Sequence, residues 1–190
     1  MPIWQDYLDK ANAYHGHICG GQILGIRMAL LGLRLLGLEP QLQPQPDYRD
    51  LVIYLESDRC VADAAYVVTG VTIGRRRVKL HNYGKTAMSF LDLKSGQAYR
   101  ISVTDHERPD KSQDLVAFWA NKKDQDIFRV QKVNIQLKPG EEPGPPSKVA
   151  LCQKCGDEVM DHRDVQVAGQ TLCRACAEGS YYEALVEIKL

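Results

Sequence analysis

The sequence lacks any run of eighteen uncharged apolar residues, about the length that a membrane-spanning helix needs. Its longest apolar stretch, residues 20–38, is interrupted by Arg27 and Arg34 and is therefore assigned to the core of a folded domain. The first residues also lack the pattern of a secretory signal peptide. These absences predict a cytoplasmic protein without a membrane partner.

An excess of charge of one sign is missing too, because 24 lysines and arginines balance 24 aspartates and glutamates. Neither the part before residue 148 nor the part after it is polybasic, and binding to a phosphate backbone depends on clustered positive charge. Residues 69–77 match neither a P-loop nor a dinucleotide-binding fingerprint. The sequence therefore does not support a nucleic-acid partner or a nucleotide cofactor.

The strongest signal that is present consists of two Cys-x-x-Cys pairs, Cys152 with Cys155 and Cys173 with Cys176. Residues 156–172 between the pairs are enough for a hairpin that brings both pairs to one ion, which is the spacing of a four-thiolate zinc site. Two disulfides are the alternative, but the paired spacing and the missing secretory signal favour zinc. We predict a structural zinc ion held by all four cysteines.

The segment around these cysteines predicts a treble clef or zinc ribbon. A short two-stranded ribbon is expected to turn at Ala168 and Gly169, and a helix is expected from Ala177 onward, carrying Leu185 and Ile188. Proline and glycine just before this module prevent regular ladders and favour an extended spacer. The predicted domains are a core over 1–138, a linker over 139–147 and a zinc finger over 148–190.

The core pattern predicts an α+β domain with a mostly antiparallel sheet packed with helices. Helices are predicted over residues 3–14, 21–38, 62–68 and 112–121, and strands over 51–55, 78–80, 85–93, 99–103 and 129–137. The helix over 21–38 is apolar on more faces than one small sheet can cover. We therefore predict a homodimer in which a second copy covers part of this helix or the sheet edge.

A second group of chemically active residues lies in the turn before this helix, where the sequence reads His15-Gly-His17-Ile-Cys19-Gly-Gly21. In an extended turn, side chains two positions apart point the same way, so His15, His17 and Cys19 can converge. Cys19 also opens a helix, whose dipole favours a thiolate, and Cys60 leads a predicted helix in the same way. Lone cysteines are often small buried hydrophobes, but three donors in one short turn favour a functional site.

These segments, together with Cys60-Val-Ala-Asp63, Thr69-Gly-Val71-Thr-Ile-Gly74 and Asn82-Tyr-Gly84-Lys85, resemble the FmdE family of formylmethanofuran dehydrogenase over residues 1–105. The resemblance implies an α+β core that dimerises, a cleft holding a metal or a reactive cysteine and, in some members, an added C-terminal zinc finger. Two positions depart from the family pattern, since Gly20 replaces a common proline and Val71 replaces a further cysteine. The core ligands implied for this chain are His17, Cys19 and Cys60, with His15 as an additional candidate.

We interpret the protein as a metal-binding, oxidoreductase-associated protein linked to molybdenum or tungsten formylmethanofuran dehydrogenase chemistry. It would hold a structural zinc in the tail and a second zinc or another transition metal in the core. The sequence leaves open whether it is an enzyme and on which substrate. If it is one, the candidate catalytic residues are Cys19, Cys60, Asp63 and Lys85, with Asp63 or Lys85 carrying protons.

Two other functional classes stay open. The tail resembles the zinc finger of small regulators that bind RNA polymerase, so the protein could instead be a zinc-finger docking or regulatory protein without catalytic activity, acting through a protein partner. Alternatively, Cys19 and Cys60 could carry out thiol redox chemistry, which requires the two sulfur atoms within disulfide reach.

Overall fold

The computed structural model describes residues 3–42, 48–186 and 188, and the chain divides into two compact units. The first unit extends to Ile135 and the second begins at Gln136. Within the described residues, no helix is both long enough and apolar enough to cross a membrane.

The first unit is built on a five-stranded sheet in the order β2-β1-β3-β4-β5. The strands are β1 (Leu51–Leu55), β2 (Val78–Leu80), β3 (Ala87–Asp92), β4 (Ala98–Val103) and β5 (Phe128–Val133). Only β1 and β2 pair in parallel, while β1 with β3, β3 with β4 and β4 with β5 are antiparallel. This confirms the predicted α+β class with a mostly antiparallel sheet.

The helices of the first unit pack on the sheet face that carries Ile53, Phe90 and Ile101. They are α1 (Leu8–His15), α2 (Gly20–Leu35), α3 (Cys60–Thr69), α4 (Leu115–Ala120) and α5 (Asp124–Ile127), with short 3-10 helices at Trp4–Tyr7 and Ile73–Arg75. α2 ends before the predicted residue 38, because Gly37 adopts a left-handed φ of 72° and Leu38 N–H turns back to the Leu33 carbonyl.

Helix α2 is central, and other parts of the same chain cover it. Its neighbours are α3, α4, the Trp4–Tyr7 helix and strands β3 and β4. Eleven of its residues are buried: Gln22, Ile23, Leu24, Gly25, Ile26, Arg27, Met28, Ala29, Leu30, Gly32 and Leu33. The apolar helix therefore does not itself require a second copy, and the homodimer stays a prediction.

Two glycines allow α2 to approach its neighbours closely. A Cβ atom at Gly25 would lie 2.5 Å from Cβ of Ala64 and 2.9 Å from Cα of Val61 in α3. A Cβ atom at Gly32 would lie 2.4 Å from Cδ2 of Phe90 in β3. Real Cβ atoms do not approach other atoms this closely, so both positions require glycine for packing.

Arg27, which interrupts the apolar pattern of α2, is only 5% exposed and holds the segment from α4 to α5. Its Nη1 donates to the Trp119 carbonyl at 2.6 Å, and its Nη2 donates to the Lys122 carbonyl at 2.7 Å. Its Nε donates to Asp124 Oδ1 at 2.8 Å. The charge is thus paired and each of these bonds reaches across about ninety residues of sequence.

The second unit contains two small antiparallel hairpins and one short helix. They are β6 (Val149–Leu151) with β7 (Glu158–Met160), β8 (Asp164–Val167) with β9 (Gln170–Cys173), and α6 (Arg174–Glu178). The β8–β9 turn has Ala168 at φ 49° and Gly169 at φ 80°, as a two-residue hairpin turn requires. The ribbon predicted to turn at these two residues is confirmed.

The end of the second unit differs from the prediction. α6 already begins at Arg174, and its cap residue Gly179 has a φ of 102°, which ends the helix. Residues 180–186 are not helical, and Leu185 and Ile188 are 90% and 76% exposed. The helix predicted from Ala177 onward is therefore wrong, because its apolar periodicity has no core to pack on in a unit this small.

The proline- and glycine-rich segment before β6 belongs to the second unit and contacts it. Gly140 is buried at a φ of 80°, where a Cβ atom would lie 2.1 Å from the Asp161 carbonyl oxygen. Ser147 N–H donates to Asp161 Oδ1 at 3.1 Å. The residues assigned to a linker thus pack in part against the turn that follows β7.

Candidate metal centres

The first candidate site is built on the turn between α1 and α2. Gly16 follows the last residue of α1 with a left-handed φ of 88°, and its N–H donates to the Asn12 carbonyl, which ends the helix. The chain then extends to Cys19, whose φ of −134° and ψ of 166° make it the N-cap of α2. Its Sγ accepts from Gln22 N–H at 3.4 Å.

This turn brings together the side chains of His15, His17 and Cys19, which we call the core cluster. One ring nitrogen of each histidine and the sulfur atom all lie within 4.8 Å of one another. Donor atoms around a tetrahedral zinc ion are ~3.3–3.8 Å apart at normal bond lengths. Small side-chain rotations therefore suffice for one ion to reach all three donors.

His15 is held from outside the core cluster. Its Nδ1 lies 2.7 Å from Oδ2 of Asp63 in α3. Its other nitrogen, Nε2, is buried and has no hydrogen-bond partner in the described residues. A buried polar atom without a partner is rare in proteins and often marks the position of an ion or a water molecule. His17, in contrast, is exposed, so the cluster is open to solvent on that side.

Cys60 lies beside the core cluster as the first residue of α3. A Cβ atom at Gly21 would be 3.6 Å from the sulfur of Cys60 and 3.7 Å from that of Cys19, so the two thiols flank the same glycine. Burial and, after it, the neighbouring Cys19 thiol raise the pKa of the Cys60 thiol. Cys60 is not part of the group whose donor atoms all lie within 4.8 Å, and the geometry places His15 there instead.

Lys85, a candidate catalytic residue from the sequence, lies in the loop between β2 and β3. Its N–H donates to the Glu56 carbonyl at 3.2 Å, and its Nζ lies 5.8 Å from the centre of the Tyr83 ring. Among the described residues, no ion pair or hydrogen bond joins its side chain to the core cluster. Asp63, the other candidate proton carrier, contacts His15.

Two residues beside the core cluster were missed by the sequence interpretation. Trp119 of α4 is 1% exposed, and its Nε1, which has no hydrogen-bond partner in the described part, would lie 3.4 Å from a Cβ atom at Gly20. Gln22 is fully buried, and its Nε2 donates to the Cys60 carbonyl at 3.1 Å. Only the Cys19-x-x-Gln22 spacing, typical of a helix start, pointed to Gln22, and no local pattern pointed to Trp119.

The second candidate site is formed by Cys152, Cys155, Cys173 and Cys176, which we call the tail cluster. The four sulfur atoms lie within 4.8 Å of one another, and those of Cys155 and Cys173 are 3.9 Å apart. The first pair sits in a tight turn, where Gly156, at a φ of 81°, donates its N–H to the Cys152 carbonyl. The second pair spans the start of α6, with Cys173 as its N-cap.

The tail cluster also has the electrostatics of a metal site. Backbone N–H groups of Cys155 and then of Cys173 lower the pKa of the Cys152 thiol to about 6. A thiolate, not a thiol, is the form that binds a metal ion. The arrangement of one turn after β6, one hairpin and one short helix is that of a treble clef, as predicted, and the four-cysteine cluster matches a structural zinc site.

Two family models match the chain. The model described as "FmdE, Molybdenum formylmethanofuran dehydrogenase operon" matches residues 14–142. The model described as "Prokaryotic dksA/traR C4-type zinc finger" matches residues 146–182. The first match contains the whole core cluster, and the second contains the whole tail cluster.

A curated relative and a solved structure are similar over most of the chain. A protein of Archaeoglobus fulgidus named "Probable S-adenosyl-L-methionine-binding protein" is 26% identical over 201 residues, covering 91% of this chain and 52% of the relative. The chain thus spans about half the length of that relative. An FmdE-like protein of tungsten formylmethanofuran dehydrogenase from Syntrophus aciditrophicus superposes with a TM-score of 0.59 at 23% identity, covering 95% of both chains. At this identity the likeness shows a shared fold.

Proposed function

Because the chain belongs to the FmdE family of the molybdenum formylmethanofuran dehydrogenase operon and carries a C4-type zinc finger, we propose that it is a metal-binding protein linked to that redox system. In this proposal the tail cluster holds a structural zinc ion. The core cluster holds a second zinc or a related transition metal through His15, His17 and Cys19. Cys60 lies close enough to be an alternative sulfur donor.

The observation that carries the proposal is the buried Nε2 atom of His15, which has no hydrogen-bond partner among the described residues and belongs to a group of three donors within 4.8 Å. Leaving a buried polar atom unpaired costs about 1–3 kcal/mol, and a bound cation removes that cost. Two imidazoles and one thiolate are also the borderline and soft donors that zinc prefers over calcium or magnesium.

The core cluster has the composition of a reactive site more than of a purely structural one. Three protein ligands leave one position of a tetrahedral zinc ion open, where the ion supplies Lewis-acid activation of a carbonyl group or of bound water. The exposed side of the cluster at His17 gives a small molecule access to that position. The start of α2 beside it contributes the positive end of a sixteen-residue helix, which favours an anion or a polarised oxygen.

Metal analysis tests the core site. Purified protein should contain about two zinc ions per chain, whereas His17→Ala and Cys19→Ser should each contain about one. Replacing bound zinc with cobalt should give the wild type the absorption of both a four-thiolate site and a two-histidine, one-thiolate site, and the variants only the first. The matched control is His106→Ala, which removes an exposed histidine and should keep both ions. One zinc ion per wild-type chain would contradict the proposal.

A docking role for the zinc finger is the second candidate function. In the β6–β7 hairpin, Val159 points into the small core, while Val149, Leu151 and Met160 on the opposite face are 52%, 62% and 46% exposed. An apolar face of this kind is typical of a protein-binding surface. We propose RNA polymerase as the partner to test, because the finger matches the dksA/traR model.

The docking role predicts a selective loss of binding. Replacing Val149 and Leu151 with serine should weaken binding to RNA polymerase by tenfold or more, on the order of 1.4 kcal/mol or above, while both zinc ions stay bound. Native mass spectrometry of protein and polymerase mixtures measures both quantities at once. The same substitution at exposed Val167, on the other hairpin, serves as the control. If the wild type shows no polymerase complex at micromolar concentration, the docking role is discarded.

A further inference from the structure

Asp63 lies next to the core cluster, but its carboxylate is directed to a ligand rather than to the place of the metal. It sits in the first turn of α3, with Oδ2 at 2.7 Å from Nδ1 of His15. We propose that Asp63 is a positioning residue that holds His15 in the one tautomer whose Nε2 can bind the core metal. This inference rests on the proposed metal site and concerns how its buried histidine ligand is prepared.

The chemistry of the contact decides the tautomer. A carboxylate oxygen only accepts hydrogen bonds, so Nδ1 must carry the proton and donate it to Asp63. A neutral imidazole carries one N–H, so Nε2 then has the lone pair that a metal needs. In the other tautomer, a lone pair on Nδ1 would face the carboxylate, and a buried N–H at Nε2 would face the other donors.

The burial of His15 gives this choice its weight. Its side chain is 16% exposed, whereas the Asp63 side chain is 43% exposed, so the imidazole is the more enclosed partner. An exposed histidine such as His17 can exchange tautomers and rotate freely in water. His15 cannot rotate without losing the Asp63 bond, and its ring lies beside that of His17 with centroids 4.8 Å apart. Asp63 therefore fixes both the proton position and the ring direction.

The contact between α1 and α3 does not depend on Asp63 alone. Tyr14, just before His15, and Tyr66, one turn after Asp63, pack with ring centroids 4.7 Å apart. Buried Ala11 of α1 and Ala64 of α3 belong to the same core. Replacing Asp63 should therefore leave the helices in place and remove only the hydrogen bond to His15. This separates a positioning role from a structural one.

The experiment measures core-zinc affinity by competition with a chromophoric chelator, in the full chain with the tail zinc as an internal reference. Asp63→Leu should weaken core-zinc binding about 10- to 100-fold, the effect usual for such supporting carboxylates. Asp63→Asn, whose amide can serve either tautomer, should fall between the wild type and Asp63→Leu. The matched control is Asp58→Leu, which removes an exposed carboxylate two residues before Cys60 and should leave the affinity unchanged.

Two further measurements link the effect to His15. In the His15→Ala background, Asp63→Leu should cause no additional loss of affinity, because Asp63 acts only through the missing imidazole. Long-range ¹H–¹⁵N spectra of ¹⁵N-histidine-labelled protein should show His15 protonated at Nδ1 in the wild type, with and without core metal. In Asp63→Leu without the metal, the same spectra should show a mixture of tautomers.

The outcomes separate this inference from the metal site itself. If the wild type binds core zinc and Asp63→Leu binds it equally well, the positioning role is overturned while the metal site stands. If the wild type binds no core zinc, the proposed function fails, and the tautomer spectra of the metal-free protein decide the inference alone. A wild-type His15 protonated at Nε2, or an unchanged tautomer in Asp63→Leu, overturns it.

Discussion

Replacing Cys152 with serine should remove one zinc ion per chain and unfold the second unit, while the first unit keeps its fold. The buried apolar core of this unit consists of Val159, Leu172 and Cys152 itself, which is too little to hold a chain of this length. A structural zinc ion contributes on the order of 10 kcal/mol to such a module. The loss should therefore exceed any effect that side-chain packing could offset.

Limited proteolysis with metal analysis measures this result. Cleavage should become fast within residues 148–186 of Cys152→Ser, and the fragment that ends near Ile135 should stay resistant. The matched control is Lys154→Ser, an exposed change inside the same Cys-x-x-Cys turn, which should keep the zinc and the resistance. A second unit that stays protease-resistant after complete removal of zinc by a chelator would show that zinc is not what stabilises it.

The second large effect is expected at Arg27. Arg27→Met keeps an apolar side chain in α2 but removes the three donors that bind the Trp119 and Lys122 carbonyls and Asp124. Removing one partner from a buried, hydrogen-bonded charge typically costs about 3–5 kcal/mol. We expect a fall of this size in the free energy of unfolding of the first unit.

Tryptophan fluorescence during urea unfolding measures this change for the first unit, because both tryptophans, Trp4 and Trp119, lie in it. Arg34→Met is the matched control on the same helix. Arg34 is 36% exposed, and its Nη2 reaches Asp124 only at 3.4 Å, so its loss should cost less than about 1 kcal/mol. Equal losses for the two variants would mean that the Arg27 bonds do not stabilise the fold.

Local patterns were sufficient for most of the secondary structure. Strand β1 is a short apolar run that ends where polar residues begin, and the predicted bounds 51–55 match those observed. The β8–β9 turn was predictable because Ala168-Gly169 stands between two short strands. The tail cysteines were predictable because their spacing encodes the site within one short segment.

Contacts between distant parts of the chain were not predictable. Asp63 lies 48 residues from His15, and Trp119 lies about a hundred residues from Gly20, so no periodicity or spacing relates them. Arg27 looked like a defect in an apolar helix, because its three acceptors are all supplied by a later segment. The sequence pointed to Cys60 as a core ligand, whereas the fold groups His15 with His17 and Cys19.

The close approach of α2 to α3 at Gly25 has a mechanical consequence for the thiols. Cys19 and Cys60 each stand at the start of one of these helices, and Gly25 meets the main chain of Val61 a little further along. Main-chain contacts do not change when side chains hop between rotamers, whereas the spacing of ordinary helix pairs follows such hops. Thermal motion should therefore vary the separation of the two sulfur atoms mainly through their own χ1 rotations, and hardly through movement of the helices that carry them.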